Sequence, residues 1–410
     1  MPPVGFTNLL IVTVVALLAP LLLGFAPRLR LPAVVLEIVA GVVLGPGGLG
    51  WLKVDLAVQV VAVLGLAFLL LLAGLEIDLV ALRGRWLGPA VAGYALTLTL
   101  GVAVGFGARA AGWVDSALLL AIALSATSLG LVVAVLKDAG ALTGDVGQAV
   151  VAAATVADFA AIVLLSLLFS ADGGGTGERV ALFAVFVVAV AAIAAAALTA
   201  RRSMRLGDVL ERLQDGTAEI RVRGAVLLMM GFVLLAQHVG LESILGAFLA
   251  GAVISAVDRD AASHPHFRVK LEALGYGFLI PVFFVASGAR LDVSALLDEP
   301  SALAQVPVYL AALLVVRGVP ALLYRRRMAT RPVAAAGLLQ ATSLPFLVTA
   351  AEIGTATDRM SEVTATALVC AGLASVLIFP TTATGLLAPM KITDGAGTDR
   401  AELGVSRLSR

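Results

Sequence analysis

Long apolar runs are the feature of this sequence that most constrains its fold. Thirteen such runs can be marked along the 410 residues, and the ninth is the shortest. Inside a bilayer the backbone has no water to bond to, and a helix of about 20 residues crosses the hydrocarbon layer, so each run predicts a transmembrane helix. The predicted spans are 7–25, 32–49, 56–75, 87–108, 116–136, 146–170, 180–200, 221–239, 242–257, 270–289, 303–323, 332–354 and 362–388.

Composition agrees with a polytopic membrane protein and excludes several other classes. Apolar residues make up 60% of the chain and charged residues 13%, whereas a soluble domain is roughly half apolar and about a quarter charged. A net charge of +1 without a long basic block argues against a nucleic-acid partner. The single cysteine, Cys370, and the lack of a Cys/His cluster predict no disulfide framework, no resident metal and no cofactor. The motifs H-E-x-x-H and G-x-S-x-G are absent, so we expect no enzyme.

The basic residues are distributed unequally between the two sides of the predicted spans. One side receives 22 of the 28 lysines and arginines, the other side receives five, and Arg317 lies inside a span. Because cytoplasmic connections carry the positive excess, the amino terminus is predicted outside and the carboxyl terminus inside. The opening run lacks the basic start and small-residue cleavage site of a removed signal peptide, so we expect it to be the first helix.

The quadruplet A-T-S-L occurs twice, at 126–129 in the fifth predicted span and at 341–344 in the twelfth. Spans that are seven apart cross the membrane in opposite directions. This relation is typical of an inverted repeat, here of residues 7–170 and 221–388 joined by a linker helix at 180–200. The alternative is a chance identity of four letters.

Each quadruplet is followed by a residue that disturbs a helix, Gly130 in the first copy and Pro345 in the second. Interruptions at matching places in repeated helices free backbone and hydroxyl groups to line an ion site. Alternatively, the hydroxyls pack between helices and bond back to their own helix. The candidate residues are Thr127, Ser128, Thr342 and Ser343.

Asp158 stands at the midpoint of the sixth span, in AVVAAATVADFAAIVLLSLL. An ionised carboxylate at that depth costs a few kcal/mol by insertion scales. Such a carboxyl can be protonated when empty and ionised when a cation compensates it, which is the requirement for exchanging a proton against a metal cation at one site. The alternative is a neutral, protonated aspartic acid that bonds across helices.

Other charged residues near or within spans are less distinctive. Arg317 either extends its guanidinium to the cytoplasmic surface or acts as a structural cation near the crossing of the interrupted helices. Glu37, about a third of the way into the second span, either lines a cytoplasmic funnel or pairs with an arginine. Glu76 and Asp78 lie at the inner end of the third span, where we expect a solvated helix end.

Four segments together resemble a known family. LPAVVLEIVAGVVLGPGGLG, LAFLLLLAGLEIDL, ALSATSLGLVVAVLKDAGAL followed by VADFAAIVLL, and LIPVFFVASGARLD are similar, in this order, to the monovalent cation/proton antiporter superfamily. The resemblance is to the bacterial branch that includes Kef-like and Nap-type sodium (potassium)/proton exchangers, and it covers residues 1–390. The segment 391–410 is expected to be a short, disordered cytoplasmic tail.

The resemblance implies an all-α antiporter fold of 13 transmembrane helices with crossed broken helices, a homodimer and alternating access in a bacterial inner membrane. It places the ion-binding and proton-carrying role on Asp158, with Thr127 and Ser128 as further ligands. The basic residue of the family's core domain falls on Arg317, where many relatives have lysine. Ala157 departs from the pattern, because relatives commonly have Asp, Asn or Gln before the binding aspartate.

The resulting hypothesis is a secondary active transporter that exchanges Na+ or K+ for protons, with Asp158 as the ligand of the transported cation. The expected partners are these ions, the lipid bilayer and a second copy of the chain, and nucleic acid is excluded. The alternatives are a cation channel-like protein and a carrier of an organic ion on the same fold. The sequence favours neither Na+ nor K+.

Overall fold

A computed structural model describes residues 6–25, 32–77, 84–169, 176–201, 219–257 and 265–387. Asp78, residues 202–218 and the expected tail 391–410 lie outside the described residues. The described part is all-helical. Its α-helices are α1 (Thr7–Phe25), α2 (Ala33–Leu44), α3 (Leu56–Leu75), α4 (Leu87–Ala110), α5 (Ala117–Ser125), α6 (Leu129–Asp138), α7 (Asp145–Phe169), α8 (Thr176–Arg201), α9 (Ile220–His238), α10 (Ser243–Val257), α11 (Pro265–Leu274), α12 (Ile280–Arg290), α13 (Val293–Asp298), α14 (Pro300–Leu303), α15 (Gln305–Leu313), α16 (Thr330–Gln340), α17 (Pro345–Ala356) and α18 (Glu362–Leu387). Wide π-helical turns occur at Gly275–Leu279 and Leu314–Gly318, and a 3-10 helix at Val319–Arg326.

Ten helical segments of the described residues are long and apolar enough to cross a membrane. Three shorter apolar helices, Ala33–Leu44, Val180–Ile193 and Ser243–Ala256, fall in three further predicted runs. The predicted count of thirteen spans therefore stays a prediction. The run 32–49 is helical only to Leu44, because Gly-Pro-Gly-Gly follows and forms a turn.

The helices divide into two bundles by their packing. In the first bundle α12 packs against α1, α2 and α3, while α10 packs against α3 and α9. Small residues bring α2 and α12 into backbone contact: a Cβ built on Gly41 would lie 2.2 Å from the carbonyl oxygen of Val285. The reciprocal Cβ on Gly288 would lie 2.2 Å from the carbonyl oxygen of Ile38. The two helices are thus fixed to each other as one unit.

The second bundle contains the interrupted helices. Here α4 packs against α5 and α7, and α18 packs against α15, α16 and α17. The chain leaves helical geometry between α5 and α6, and again between α16 and α17, so each A-T-S-L quadruplet lies at a break. At the second break Pro345 begins α17 and disfavours helical geometry at Leu344, whose φ is −143°.

The two breaks contact each other. The amide of Ser128 donates to the carbonyl oxygen of Thr342 at 3.0 Å. Backbone groups that a continuous helix would use internally are therefore paired across the crossing point. The first quadruplet lies beside the middle of α7, which carries Asp158, and the crossing brings the second quadruplet against the first.

Candidate functional site

Asp158 faces the first turn of α6. The backbone amide of Thr127 donates to Oδ1 of Asp158 at 3.0 Å. This amide lies two residues before α6 begins, next to a helix start whose free N–H groups and dipole favour a negative charge. The break after α5 therefore creates a polar environment for an ionised carboxylate inside the membrane.

Arg317 is buried beside the same break, and only 1% of its surface is exposed. Its Nε donates to Oγ1 of Thr127 at 2.9 Å, and its Nη1 lies 3.4 Å from Oγ1 of Thr97. The interpretation that this guanidinium extends to the cytoplasmic surface is wrong. Arg317 lies in a wide helical turn, Leu314–Gly318, and its side chain stays inside the bundle. Pro320, which follows this turn, has no amide hydrogen and so cannot donate to the preceding turn.

The four hydroxyl residues of the quadruplets are not equivalent. Thr127 uses its hydroxyl within the protein, donating to the carbonyl oxygen of Gln340 at 2.8 Å while it accepts from Arg317. Thr342 bonds back to the carbonyl oxygen of Leu338 at 3.1 Å, as the alternative interpretation expects. Ser128 lies on the wall of the large cavity described below.

Ser343 is fully buried at the second break. Its amide donates to Oγ of Ser375 at 3.2 Å, and that hydroxyl donates to its carbonyl oxygen at 3.0 Å. The Oγ of Ser343 has no hydrogen-bond partner in the described part of the chain. Ser375 therefore supports the backbone of the break, and the Ser343 side chain is left with an unused hydroxyl.

A cavity of about 1220 Å³ reaches from the breaks to one end of the molecule. Thr127, Ser128 and Asp158 line its inner end. At its other end it is lined by residues near helix ends on one side of the fold, namely Pro20, Pro32, Asp138, Thr384 and Leu387. These helix ends adjoin connections that the basic-residue count assigns to the cytoplasm. An ion from that side could reach Asp158 without crossing packed protein.

Two glutamates also line this cavity. Glu37 on α2 is 5% exposed and forms no ion pair with an arginine among the described residues. Glu76 follows the last residue of α3, as expected of a helix end, and it is half-buried on the wall of the cavity. Its carboxylate packs against Gly130 in the first turn of α6, where a Cβ would lie 2.9 Å from Oε1.

The site therefore contains two carboxylates close to the first helix break, Asp158 on α7 and Glu76 at the end of α3. Together with the Ser128 hydroxyl they supply the oxygen ligands that hard cations prefer. Sequence reasoning named Glu76 only as a helix end and missed its place in the candidate site, because its approach to α6 depends on a contact between distant parts of the chain. Gly130, which lacks a side chain and so leaves room for that carboxylate, was the sequence signal that could have indicated this contact.

Comparison with known proteins gives a consistent result. The family model described as "Sodium/hydrogen exchanger, transmembrane" matches residues 13–388. The chain is 31% identical over 362 residues to the "Putative Na(+)/H(+) antiporter YjbQ" of Bacillus subtilis, covering 85% of this chain and 57% of that protein. It is 30% identical over 309 residues to "Cation/H(+) antiporter 18" of Arabidopsis thaliana, covering 70% and 37% respectively.

A solved structure shares the fold. The sodium proton antiporter MjNhaP1 from Methanocaldococcus jannaschii, determined at pH 8, superposes with a TM-score of 0.67 at 16% identity. The match covers 93% of this chain and 98% of that chain, so the architecture described above is an antiporter fold. By contrast, the chain spans only 57% and 37% of the length of the Bacillus and Arabidopsis relatives.

Proposed function

Since the chain belongs to the sodium/hydrogen exchanger family, a family of multi-pass membrane transporters, we propose that it exchanges a monovalent cation, Na+ or K+, for protons. The observation that carries the proposal is the position of Asp158. Its carboxylate lies at the inner end of a cavity and is held by the amide of Thr127 at 3.0 Å. The Asp158 carboxylate therefore lies both on the cavity wall and against the helix break.

Competition between two ligands at Asp158 supplies the mechanism. When the carboxyl holds a proton it is neutral and needs no counter-ion. When the proton leaves, the helix amides and a monovalent cation from the cavity compensate the negative charge. Binding of one ion therefore displaces the other, which couples the two flows.

The surrounding residues divide into ligands and supports. Glu76 and the Ser128 hydroxyl are proposed as further cation ligands, because both line the cavity near Asp158. Thr127 serves through its backbone, since its hydroxyl is bonded to Arg317. Arg317 contributes a fixed positive charge that favours the ionised site.

Transport further requires that Asp158 reach both sides of the membrane in turn. We assign the first bundle as the fixed part and the second bundle, with the crossed breaks, as the moving part of an alternating-access cycle. Each part takes helices from both of the proposed inverted repeats, 7–170 and 221–388, which the linker helix 180–200 joins. The cavity opens towards the cytoplasm in an orientation with the amino terminus outside, in a bacterial inner membrane, and a homodimer is the expected assembly.

Reconstitution tests the proposal. Purified protein in proteoliposomes with an imposed pH gradient should release protons on addition of Na+, K+ or both, and should do nothing without cation. Net uphill cation movement driven by the pH gradient would exclude a channel. Lack of exchange with Na+, K+ and Li+ would contradict the proposal and favour an organic ion on the same fold.

A further inference from the structure

A carboxylate on the second broken helix is bonded across to another helix. Glu352 lies near the end of α17, and its Oε1 accepts a hydrogen bond from Oγ of Ser287 at 2.7 Å. The same oxygen accepts from Nη1 of Arg290 at 3.2 Å, forming an ion pair. Both donors lie on α12. The three side chains form a small polar cluster that sequence reasoning did not single out.

The two helices that this cluster joins belong to different bundles. Helix α12 is fixed to α2 by the backbone contacts at Gly41 and Gly288. Helix α17 packs against α5 and α18 in the second bundle. It packs closely there: a Cβ built on Gly354 would lie 3.0 Å from Leu119 of α5, and one built on Gly372 of α18 would lie 2.9 Å from Leu347. The polar cluster therefore crosses the boundary between the proposed fixed and moving parts.

The same pair of helices also bounds the large cavity. Pro281 and Phe284 of α12 line it, as do Phe346 and Thr349 of α17. One turn further along each helix the cavity ends, and Glu352 bonds to α12 at that level. The helices are thus apart on the cavity side and joined on the opposite side of the membrane.

We propose that Glu352, Ser287 and Arg290 form an outer latch that closes the extracellular side while the cavity is open to the cytoplasm. The proposal rests on the alternating-access cycle proposed above. In the outward-facing state α17 must move away from α12, so these hydrogen bonds break and reform in each cycle. The latch sets the balance between the two states and does not contact the transported ion.

Cysteine accessibility tests the latch without requiring transport. Val348 lies one turn from Glu352 on the same helical face, and it is 2% exposed. In a Cys370→Ser background, Val348→Cys should react slowly with a polar maleimide in detergent. Adding Glu352→Gln should raise the rate about tenfold, as expected from the loss of a charge-assisted hydrogen bond that favours the closed state.

Matched controls and partner variants make the result specific. Arg290→Gln should raise the labelling rate similarly. The double variant should add little, because the two substitutions break the same ion pair. Glu362→Gln and Arg109→Gln alter exposed residues on the same predicted side and should leave the rate unchanged. A rate that Glu352→Gln and Arg290→Gln both leave unchanged would overturn the latch.

A cross-link gives an independent test that does not depend on weakening the fold. The pair Ser287→Cys and Glu352→Cys, also in Cys370→Ser, should lose transport when a short bis-methanethiosulfonate reagent links the two thiols, and should regain it on reduction. Full transport by cross-linked protein would contradict the latch. If the wild type exchanged none of the tested cations, the proposed function would fail, whereas the labelling experiment would still decide whether the latch controls access.

Discussion

Arg317 and Asp158 bond to the same residue, Thr127, and among the described residues they share no direct hydrogen bond or ion pair. The guanidinium donates to the hydroxyl of Thr127, and the amide of Thr127 donates to the carboxylate. The positive charge is therefore held near the site at a fixed distance. A cation between them would have to enter from the cavity side of Asp158. This arrangement separates the permanent charge of the site from the exchangeable one.

Asp158→Asn should abolish cation-dependent proton flux, because an amide mimics only the protonated carboxyl and cannot lose a proton to become negatively charged. Proton flux in proteoliposomes and the melting temperature in detergent are the measurements. The melting temperature should stay close to that of the wild type. Asp298→Asn changes an exposed aspartate away from the cavity and serves as the control. Cation-dependent flux by purified Asp158→Asn protein would contradict the mechanism.

Glu76→Gln should weaken cation binding, since it removes the second carboxylate of the site. We expect an increase of about tenfold in the apparent Km for the cation, the change that corresponds to about 1.4 kcal/mol, with a smaller effect on maximal rate. Gly130→Ala should act in the same direction, because the added Cβ would lie 2.9 Å from Oε1 of Glu76. Gly231→Ala is the control, with no atom within 4 Å of its Cβ. An unchanged Km in Glu76→Gln would remove this residue from the ligand set.

Arg317→Ala should lower the melting temperature and shift the pH profile of exchange, but it should leave measurable transport. The loss of a buried positive charge makes the ionised site less favourable, so cation uptake should require a lower proton concentration. Arg317→Lys keeps the charge but loses the planar guanidinium group whose nitrogens bond to both Thr97 and Thr127. It should therefore restore the pH profile better than the melting temperature. Wild-type behaviour of both variants would contradict a role for this side chain.

The sequence was sufficient for some parts of the site and insufficient for others. Asp158 and the two A-T-S-L breaks could be located because a charge within an apolar run and a repeated interruption are local patterns. The burial of the Arg317 guanidinium could not be predicted, since it depends on a wide helical turn and on hydroxyls from two other parts of the chain. The contact between Glu76 and α6 could not be predicted for the same reason, because only tertiary packing brings the end of α3 against α6.

Asp55, which caps α3 outside the predicted span, gives a prediction about stability. Asn8 donates to its Oδ2 at 2.9 Å and the amide of Val58 to its Oδ1 at 3.0 Å, and these bonds lower the pKa of the Asp55 carboxyl. Stability from the ionised form is present above the unfolded pKa of about 4 and is lost as pH falls through the lower folded pKa. Asn8→Ala should reduce the melting temperature at pH 7, and the difference from the wild type should shrink in acid. A difference that grew in acid would contradict this.

The stoichiometry of exchange follows from how many carboxyls change protonation in one cycle. Ala157 offers no group beside Asp158, and guanidinium groups keep their proton, so Arg317 cannot carry one. If Asp158 alone exchanges its proton for a monovalent cation, each direction moves one charge and transport is electroneutral. Lower pH should then raise the apparent Km for the cation while changing the maximal rate much less.

A potassium/valinomycin clamp with Na+ as the test ion decides between one and two proton carriers. Electroneutral exchange predicts that an imposed membrane potential alone drives no Na+ uptake. Uptake driven by potential would show that a second carboxyl titrates, and the cavity offers Glu76 and Glu37 for that role. Glu76→Gln and Glu37→Gln then separate the two, because only the variant that removes the second carrier should abolish the dependence on potential while exchange through Asp158 continues.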